Sequence, residues 1–545
     1  MSPRVVRTLC AGAALMLLAG WGAGGLVAEA QPGPPPGTGA NPAAQDTAGT
    51  AQDTAGAPVA TEPRDLAADP EAVTGGVGQE AGGPGAGVAG ARGRLETTPL
   101  QRLQSVLGLA ILLLIAWALS TNRRKVPWRV VAWGLGLQLV FALFILRTPA
   151  GESIFATLND VVVALLGFTE DGARFLFGNL VQSNIPIGSG EVGGGPFSAD
   201  PGRVANAGAF FAFNVLPTII FFSSLMAVLY HLGVMQWIVK GVAWVMMRTM
   251  RTSGAETLSA AGNIFVGQTE APLLIKPFVE KMTMSELNAV MVGGFATVAG
   301  GVLAAYVGML VAFFPDIAGH LIAASVMSAP AALVVAKIMV PEEAVAETRD
   351  SLHVHVESLD ANVIDAAARG AGDGLRLAAN VGAMLLAFVA LVYMFNGLLG
   401  WASDLLGITS LLQSQGVIAP DAPLTLQFIL GWIFAPLAWV MGVPWEDAVQ
   451  IGSLMGIKTV LNEFFAFLDL QVLLTTGADL SARSIVIATY ALAGFANFSS
   501  IAIQIGGIGG IAPSRKSDLA ILGLRAMIGG TIAAFLTATV AGMVL

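Results

Sequence analysis

Two glutamates, Glu270 and Glu463, lie inside segments that are otherwise apolar. Residues 262–272 read GNIFVGQTEAP, and residues 456–464 read GIKTVLNEF. A carboxylate at the centre of a membrane helix costs about 2.5–3.5 kcal/mol on insertion scales. Each glutamate therefore needs a polar surrounding or a functional role, such as binding a polar solute or an ion.

The elements that must position these carboxylates are broken helices. Gly267, Pro272 and the neighbouring amide and hydroxyl side chains disfavour an unbroken helix through the first segment. Unwound backbone at membrane depth is tolerated only where it faces protein or a wet cavity. We therefore predict two re-entrant hairpins, at residues 255–282 and 445–472.

Other roles for the two glutamates are a structural ion pair, with Lys276, Lys458 or a nearby arginine, and an acid/base pair of an intramembrane enzyme. No nucleophile–base pattern accompanies them, so we do not expect an enzyme. The single cysteine, Cys10, lies in a leader, which argues against disulfides and thiolate metal sites. The histidines lack metal-ligand spacing; they are His231, His320, His353 and His355.

Composition points to lipid as the solvent. Of 545 residues, 55% are hydrophobic and 12% are charged, whereas soluble domains carry about 25% charged residues. A net charge of -9 gives no basic patch for nucleic acid. The sequence predicts a polytopic, all-α membrane protein.

The N-terminal hundred residues carry no visible chemistry. Residues 1–30 combine basic residues, an apolar stretch and a small-x-small site, which predicts a signal peptide cleaved after Ala30; an uncleaved anchor is the alternative. Residues 31–97 are rich in Pro, Gly and Ala and should form a disordered extracytoplasmic arm.

Hydropathy predicts eight membrane spans from residue 100 onward. Positively charged connectors at 122–125, 248–251 and 514–516 favour the cytoplasm, so both termini should lie outside a bacterial inner membrane. The predicted spans are 102–120, 127–147, 206–230, 286–313, 317–340, 376–400, 484–505 and 519–543.

The remaining apolar stretches predict surface elements. Residues 152–180 carry several charges and indicate an amphipathic helix on the outer face. Residues 234–250 and 426–442 each carry two tryptophans, which favour the membrane interface. Residues 342–372 predict a charged inner connector that is partly amphipathic.

The order of elements repeats. Scaffold helices at 98–232 are followed by a first repeat at 233–375 and a second at 376–545, each with a hairpin and then a Gly-Phe-Ala span, at Gly294 and at Gly494. The topology places the two halves in opposite orientations, as in secondary transporters with a midplane site. For the small residues around these spans, close helix packing is an equally good explanation.

These motifs closely resemble the concentrative nucleoside transporter family from about residue 100 to the C-terminus. The resemblance rests on GQTEAPL at 267–273, GGFAT at 293–297, NEF at 462–464 and GFANFSSIAIQ at 494–504. It implies eight spans, two oppositely oriented hairpins, a homotrimer in membrane lipid, elevator-like motion, and symport of nucleosides with sodium or, in some members, protons.

The resemblance also implies residue roles. Gln268, Thr269, Glu270 and Val302 should contact the base, and Glu463, Phe495, Asn497 and Ser500 should contact the ribose. The sodium ion should bind Asn263 and Thr297 side chains and the carbonyls of Val266 and Val298; because both polar side chains are present, sodium is preferred over protons. No other cofactor is expected. A nucleoside sensor that does not transport is a further alternative.

The sequence departs from the usual family pattern next to the predicted ribose contacts. Family members often continue the Asn-Glu-Phe motif with Val-Ala-Tyr, whereas this chain has Phe465-Ala466-Phe467. Two aromatic rings without hydroxyls should alter the packing behind the ribose.

Overall fold

The computed structural model describes residues 97–181, 184–189, 198–206, 211–348 and 360–545. The predicted signal peptide and all but the last residue of the arm lie outside the described residues, as do His353 and His355. The described part is mostly helical. Its α-helices are α1 Pro99–Ala118, α2 Trp128–Arg147, α3 Pro149–Phe177, α4 Phe211–Asn214, α5 Leu216–His231, α6 Val234–Met250, α7 Gly254–Gly262, α8 Met284–Ala296, α9 Gly300–Leu310, α10 Ile317–Met339, α11 Val363–Leu405, α12 Ile408–Ser414, α13 Leu426–Val440, α14 Trp445–Val460, α15 Glu463–Thr475, α16 Ala482–Leu492, α17 Phe498–Ile511 and α18 Lys516–Val544.

Two strands depart from the all-α expectation. β1 Asn184–Ser189 and β2 Ser198–Asn206 form an antiparallel pair. Their sequence is rich in Gly and Pro, which interrupts helices. The span predicted from residue 206 therefore begins late, because β2 occupies its first position and the helical segment starts at Phe211.

Eight helical segments in the described residues are long and apolar enough to cross a membrane, but they are not the eight predicted. Pro149–Val181 meets this criterion, although its charges had predicted a surface helix. Residues 484–505 do not, because they divide between the short helices α16 and α17. The predicted span at 376–400 lies within the 43-residue α11.

Both predicted Gly-Phe-Ala spans are broken near that motif. The first is interrupted at residues 297–299, between α8 and α9, and the second at 493–497, between α16 and α17. Gly494 adopts a φ of 146°, which side chains rarely allow. A Cβ there would lie 2.9 Å from Phe295 O and 3.0 Å from Ala296 O, so the second break lies against the end of α8, directly before the first break.

The segments predicted as hairpins contain non-helical turns. α7 ends at Gly262, residues 263–270 are unwound, and a 3₁₀ helix covers Ala271–Lys281. In the second segment, α14 and α15 are separated by two residues, Leu461 and Asn462. The preceding helix α13 bends by 118° into α14.

Burial separates two groups of helices. In the α8–α9 segment and in α10, 89% of the residues in the most apolar stretch are buried. The corresponding share is 22% in α1, 11% in the segment that contains α3 and 17% in α11. The helices α8, α10 and α18 pack against one another, and α11 packs along α5. The broken elements therefore lie among the enclosed helices, while the outer helices present apolar side chains.

The three positively charged connectors lie on one face of the described structure. Asn122 Nδ2 donates to Glu343 Oε1 at 2.8 Å, and Lys125 Nζ lies 3.5 Å from the same oxygen. These two neighbours hold the pKa of the Glu343 carboxyl below its usual value. Three further contacts extend this face. They join the 340–348 connector to the end of the 3₁₀ helix, that end to the 513–516 turn, and the start of α2 to the end of α6: Lys281–Glu347 at 3.0 Å, Arg515 Nη1–Met282 O at 2.6 Å and Arg129 Nε–Thr249 O at 3.2 Å.

Candidate substrate and ion site

Glu463 is the first residue of α15 and is 5% exposed. The preceding Asn462 caps the helix, because its Oδ1 accepts a hydrogen bond from Phe465 N at 3.0 Å. A carboxylate at a helix N-terminus is stabilised by the helix dipole. Glu463 Oε1 accepts from Tyr306 Oη at 3.0 Å, and Oε2 accepts from Asn497 Nδ2 at 3.1 Å. The carboxylate is thus fixed in a buried polar cluster.

Asn497 connects this cluster to the second break. It is the N-cap of α17, where its Oδ1 accepts from Ser500 N at 2.9 Å and from Ser499 Oγ at 2.7 Å. Its Nδ2 then points to Glu463. The same side chain therefore caps one helix and orients the carboxylate at the start of another.

Gln268 brings the first unwound segment into contact with α17. Its Nε2 donates to Ser500 Oγ at 3.1 Å, and its Oε1 accepts from Gln504 Nε2 at 3.0 Å. Gln504 also donates to Met291 O at 3.1 Å, on α8. Residues more than 230 positions apart are joined in one buried network, which can offer amide and hydroxyl groups to a polar ligand.

The other predicted base contacts lie at the edge of this network. Thr269 Oγ1 donates to Glu270 Oε1 at 3.0 Å. Glu270 is exposed, which differs from the buried carboxylate expected at a hairpin centre. It lies at the end of the unwound residues, so its charge avoids the apolar interior. Val302 is buried one helical turn before Tyr306 on α9. Phe495, which is predicted to contact the ribose instead, is half-buried in the second break.

An aromatic group lies behind Glu463. The ring of Phe467 stacks on Tyr306 with centroids 4.3 Å apart, and Phe464 contacts the same ring edge-on at 5.4 Å. Phe467 is fully buried, at 0% exposed. Phe467, one of the residues that depart from the family's usual Val-Ala-Tyr, therefore packs against Tyr306, which donates a hydrogen bond to Glu463.

The residues predicted for sodium lie in two segments of the chain that contact each other, the first unwound segment and the first break. Gly300 N donates to Phe265 O at 3.0 Å, which joins the two segments. Thr297 is 2% exposed, and its Oγ1 donates to Gly293 O at 2.9 Å. Val266 lies in the unwound segment and Val298 in the break. Because neither residue belongs to a helix, their backbone carbonyls are not part of a regular helical hydrogen-bond ladder.

Asn263 provides the test of whether an ion fits there. It is fully buried, and neither its Oδ1 nor its Nδ2 has a hydrogen-bond partner among the described residues. A buried amide without a partner costs about 1–3 kcal/mol. A hard cation that accepts the amide oxygen as a ligand removes part of that cost, so the donor set of amide, hydroxyl and carbonyl oxygens suits sodium.

A buried ion pair joins α7 to the surrounding helices. Lys337 Nζ, on α10, lies 2.7 Å from Glu256 Oε2 on α7 and 3.1 Å from Glu342 Oε2. Ser253 Oγ donates to Glu286 Oε1 at 2.6 Å, which joins α7 to α8. Breaking a buried pair costs about 3–5 kcal/mol, so these contacts fix α7 relative to α8 and α10.

The ion-pair alternative for the two glutamates finds no support in these contacts. Neither Glu270 nor Glu463 has a basic side chain within 4.0 Å in the part of the chain that the structure describes, and Lys276 is exposed. No group of acidic, cysteine or histidine side chains in the described residues is arranged to hold a metal ion. The carboxylate of Glu463 is paired with neutral donors.

Two contributors were not among the predicted site residues. Tyr306 donates to Glu463, and Gln504 donates to Gln268. The chain has only four tyrosines, so a tyrosine in an apolar span was a usable signal for Tyr306. Gln504 stands among apolar and glycine residues, where an amide also requires a partner.

Three family models match most of the described chain. Residues 107–180 match the family described as "Na+ dependent nucleoside transporter N-terminus", residues 320–542 its "C-terminus", and residues 212–313 "Nucleoside recognition". An "Uncharacterized transporter" of Haemophilus influenzae is 42% identical over 81% of this chain and 97% of its own length.

Two other proteins are similar over the same share of the chain. "Sodium/nucleoside cotransporter 1" of Rattus norvegicus is 41% identical over 81% of this chain, which spans 64% of that relative's length. The structure of CNTnw in an inward-facing, substrate-bound state has a TM-score of 0.69 and 42% identity, covering 81% of this chain and 97% of that one. The chain belongs to the concentrative nucleoside transporter family.

Proposed function

We propose that this protein imports nucleosides across a bacterial inner membrane by symport with sodium ions. One observation carries the proposal: the side chains of both unwound regions meet in a single buried polar network. Gln268 contacts Ser500 at 3.1 Å, and Asn497 contacts Glu463 at 3.1 Å. A network that couples the two halves of the chain suits a carrier that encloses a polar solute.

The nucleoside contacts follow from the donors and acceptors. Gln268 and Thr269, with Glu270 and Val302 nearby, are proposed to meet the base, whose edge offers paired donors and acceptors. Glu463, Asn497 and Ser500 are proposed to hold the ribose hydroxyls, with Phe495 beside the sugar. An ionised carboxylate accepts hydroxyl protons in charge-assisted bonds, which are stronger than neutral ones.

Sodium is proposed to bind Asn263, Thr297 and the carbonyls of Val266 and Val298. The unpaired amide of Asn263 supports this choice over proton coupling, since a proton-coupled carrier has no need of it. One sodium ion that enters down 100 mV supplies about 2.3 kcal/mol. That free energy corresponds to about fifty-fold accumulation before the sodium gradient itself is counted.

The membrane arrangement is part of the same proposal. The two broken segments act as re-entrant hairpins of opposite orientation, and the enclosed helices move as one body, like an elevator, against the exposed ones. The face with the positive connectors is cytoplasmic, both termini are outside, and three copies assemble. The separation of enclosed from exposed helices supports this division.

Native mass spectrometry tests the proposed trimer: a finding of only monomers in mild detergent would contradict it.

Uptake into proteoliposomes tests the function. The purified protein is reconstituted, and uptake of labelled uridine and adenosine is measured with an inward sodium gradient, an inward proton gradient, or neither. We expect accumulation with the sodium gradient alone. Equal uptake under all three conditions would refute sodium coupling, and uptake of neither compound nor of other nucleosides would refute the substrate class.

A further inference from the structure

Helix α6 has two faces of different character. The outer face exposes two tryptophans, Trp237 and Trp244, which are 79% and 63% exposed. Tryptophan favours the membrane interface, so we expect this face to meet lipid at the level of the headgroups. The other face packs on the protein through apolar side chains spaced three or four residues apart, which are Met235, Val239, Ala243, Met246 and Met250.

Three arginines come together where α6 ends. Arg248 lies in the last turn of α6, and Arg251 directly follows the helix. Arg129, in the first turn of α2, donates from Nε to Thr249 O at 3.2 Å, which brings its guanidinium to the same helix end. All three arginines are exposed, and so is Trp128, which precedes Arg129. Cationic and aromatic side chains therefore share one patch of the outer surface.

The described neighbours do not balance the charge of this patch. None of the three arginines forms an ion pair with a residue that the structure describes. Glu343, on the same charged face of the molecule, contacts Asn122 and Lys125 instead. The carbonyl end of α6 attracts cations, but it carries only about half a negative charge against three positive ones. An anion from outside the chain would complete the patch.

The backbone at Arg251 indicates that its side chain serves more than the fold. Arg251 has a φ of 57° and a ψ of 38°, and it is the only non-glycine residue with a positive φ among those described. Glycine is the usual residue at such a helix end, because a side chain makes the left-handed conformation costly. Arginine thus occupies a position where glycine would be more stable, which is expected at a functional site.

We propose that Arg129, Arg248 and Arg251 bind the phosphate of an anionic phospholipid, whose acyl chains lie along Trp128 and Trp244. Guanidinium groups bind phosphate oxygens through paired, charge-assisted hydrogen bonds. A phospholipid also supplies chains for the apolar outer face of α6, which free phosphate does not. A zwitterionic lipid has the same phosphate but carries a compensating ammonium group, so it should bind more weakly.

Native mass spectrometry of the delipidated protein in a neutral detergent tests the proposal. Phosphatidylglycerol or phosphatidylcholine, each with palmitoyl and oleoyl chains, is added, and the bound lipid is counted at each concentration. We expect one phosphatidylglycerol per chain to bind about ten-fold more tightly than phosphatidylcholine. Equal affinities for the two lipids would overturn the proposal.

A pair of double variants locates the site. Arg129→Gln combined with Arg248→Gln should reduce the preference for phosphatidylglycerol to about two-fold or less. Lys240→Gln combined with Arg376→Gln is the matched control, because it removes two exposed positive charges away from this helix end. The control should keep the wild-type preference. Equal losses in the two double variants would mean that the lipid responds to overall charge alone, and the proposed site would be wrong.

Arg251→Gly separates lipid binding from folding. Its Tm in lipid-free detergent should equal or exceed that of the wild type, because glycine suits the left-handed conformation. Its preference for phosphatidylglycerol should fall by about three-fold or more. A wild-type lipid preference, or a lowered Tm together with lost binding, would overturn the role of Arg251.

Two further points keep the outcomes distinct. If the Arg129 and Arg248 double variant does not elute as a folded species, Arg248→Gln alone replaces it, with an expected loss of about three-fold. Wild-type lipid preference in that single variant would overturn the site. The lipid measurement contains no nucleoside or sodium gradient, so its failure would leave the proposed transport function untouched.

Discussion

Glu463 has two neutral side-chain donors and the N-terminus of α15 around its carboxylate. Each of these groups favours negative charge, and none of them neutralises it. Ribose hydroxyls can therefore replace or join Tyr306 and Asn497 as donors. Removal of the charge leaves those donors with a weaker acceptor in a buried site, which is costly for the bound state.

We expect Glu463→Gln to weaken nucleoside binding by about ten-fold or more, because a hydrogen bond to a charged group contributes about 1.5–3 kcal/mol. Equilibrium binding of labelled uridine measures it. Glu446→Gln is the matched control, since Glu446 is also in the first turn of a helix but is exposed. The control should bind as the wild type does; wild-type binding by Glu463→Gln would refute the ribose role.

Asn263→Ala should raise the sodium concentration for half-maximal uptake by about five-fold or more, because one oxygen ligand of the proposed site is lost. The measurement is uridine uptake as a function of sodium concentration. At saturating sodium the uridine dependence should be close to that of the wild type. An unchanged sodium curve would remove Asn263 from the ion site.

At this scale the sequence was a good guide where a motif carried the residue. Gln268, Asn497 and Ser500 lie together in one network, while their roles toward the base and the ribose stay predictions. Tyr306 and Gln504 were missed because their partners are distant in sequence, and only packing of α9 on α15 and of α17 on α8 reveals them. Hydropathy could not predict that Glu270 is exposed, because its exposure depends on where the unwound segment ends in the folded structure.

The breaks in the two Gly-Phe-Ala spans determine the site at the scale of elements. Hydropathy windows average over about 19 residues, so they merged α8 with α9 and α16 with α17. A tertiary contact accompanies the second break: the backbone of Phe295 and Ala296 approaches Gly494 so closely that a side chain there would clash. Asn497 can cap α17 because the second Gly-Phe-Ala span is interrupted there. Glu463 begins α15 because of a separate interruption, at Leu461 and Asn462.

Gly494→Ala should destabilise the protein by about 1–3 kcal/mol, since it places a side chain at a φ that favours glycine and against two carbonyl oxygens. Thermal unfolding in detergent measures the effect as a lowered Tm. Gly506→Ala is the control, because a Cβ at Gly506 on α17 meets nothing within 4 Å. We expect the control to match or slightly exceed wild-type stability; equal Tm values for both variants would contradict the close approach.

The whole molecule has one face on which charged connectors meet. Positive charge in the connectors predicted that they share a side of the membrane, and the contacts from Asn122 to Glu343 and from Arg515 to Met282 join them. The β-hairpin could not be predicted, because its strands are short and interrupted by Gly and Pro. Which side of the membrane this face occupies follows only from the charge rule.

Single-cysteine labelling tests the orientation in a Cys10→Ser background, which contains no other cysteine. Arg124→Cys lies on the charged face, and Asp421→Cys lies in the connector before α13; both positions are exposed. A membrane-impermeant maleimide applied to intact spheroplasts should label Asp421→Cys and not Arg124→Cys. After permeabilisation both should be labelled, and the reverse pattern would invert the topology.

The contact between Gly494 and the backbone of Phe295 and Ala296 has a thermodynamic consequence. Thr297, a proposed sodium ligand, directly follows one side of this contact, and Asn497, a proposed ribose ligand, lies three residues beyond the other. Bound ion and bound sugar would share this stretch of backbone, so a free energy of coupling between them needs no long pathway. Linkage then requires reciprocity: the factor by which sodium tightens nucleoside binding must equal the factor by which the nucleoside tightens sodium binding.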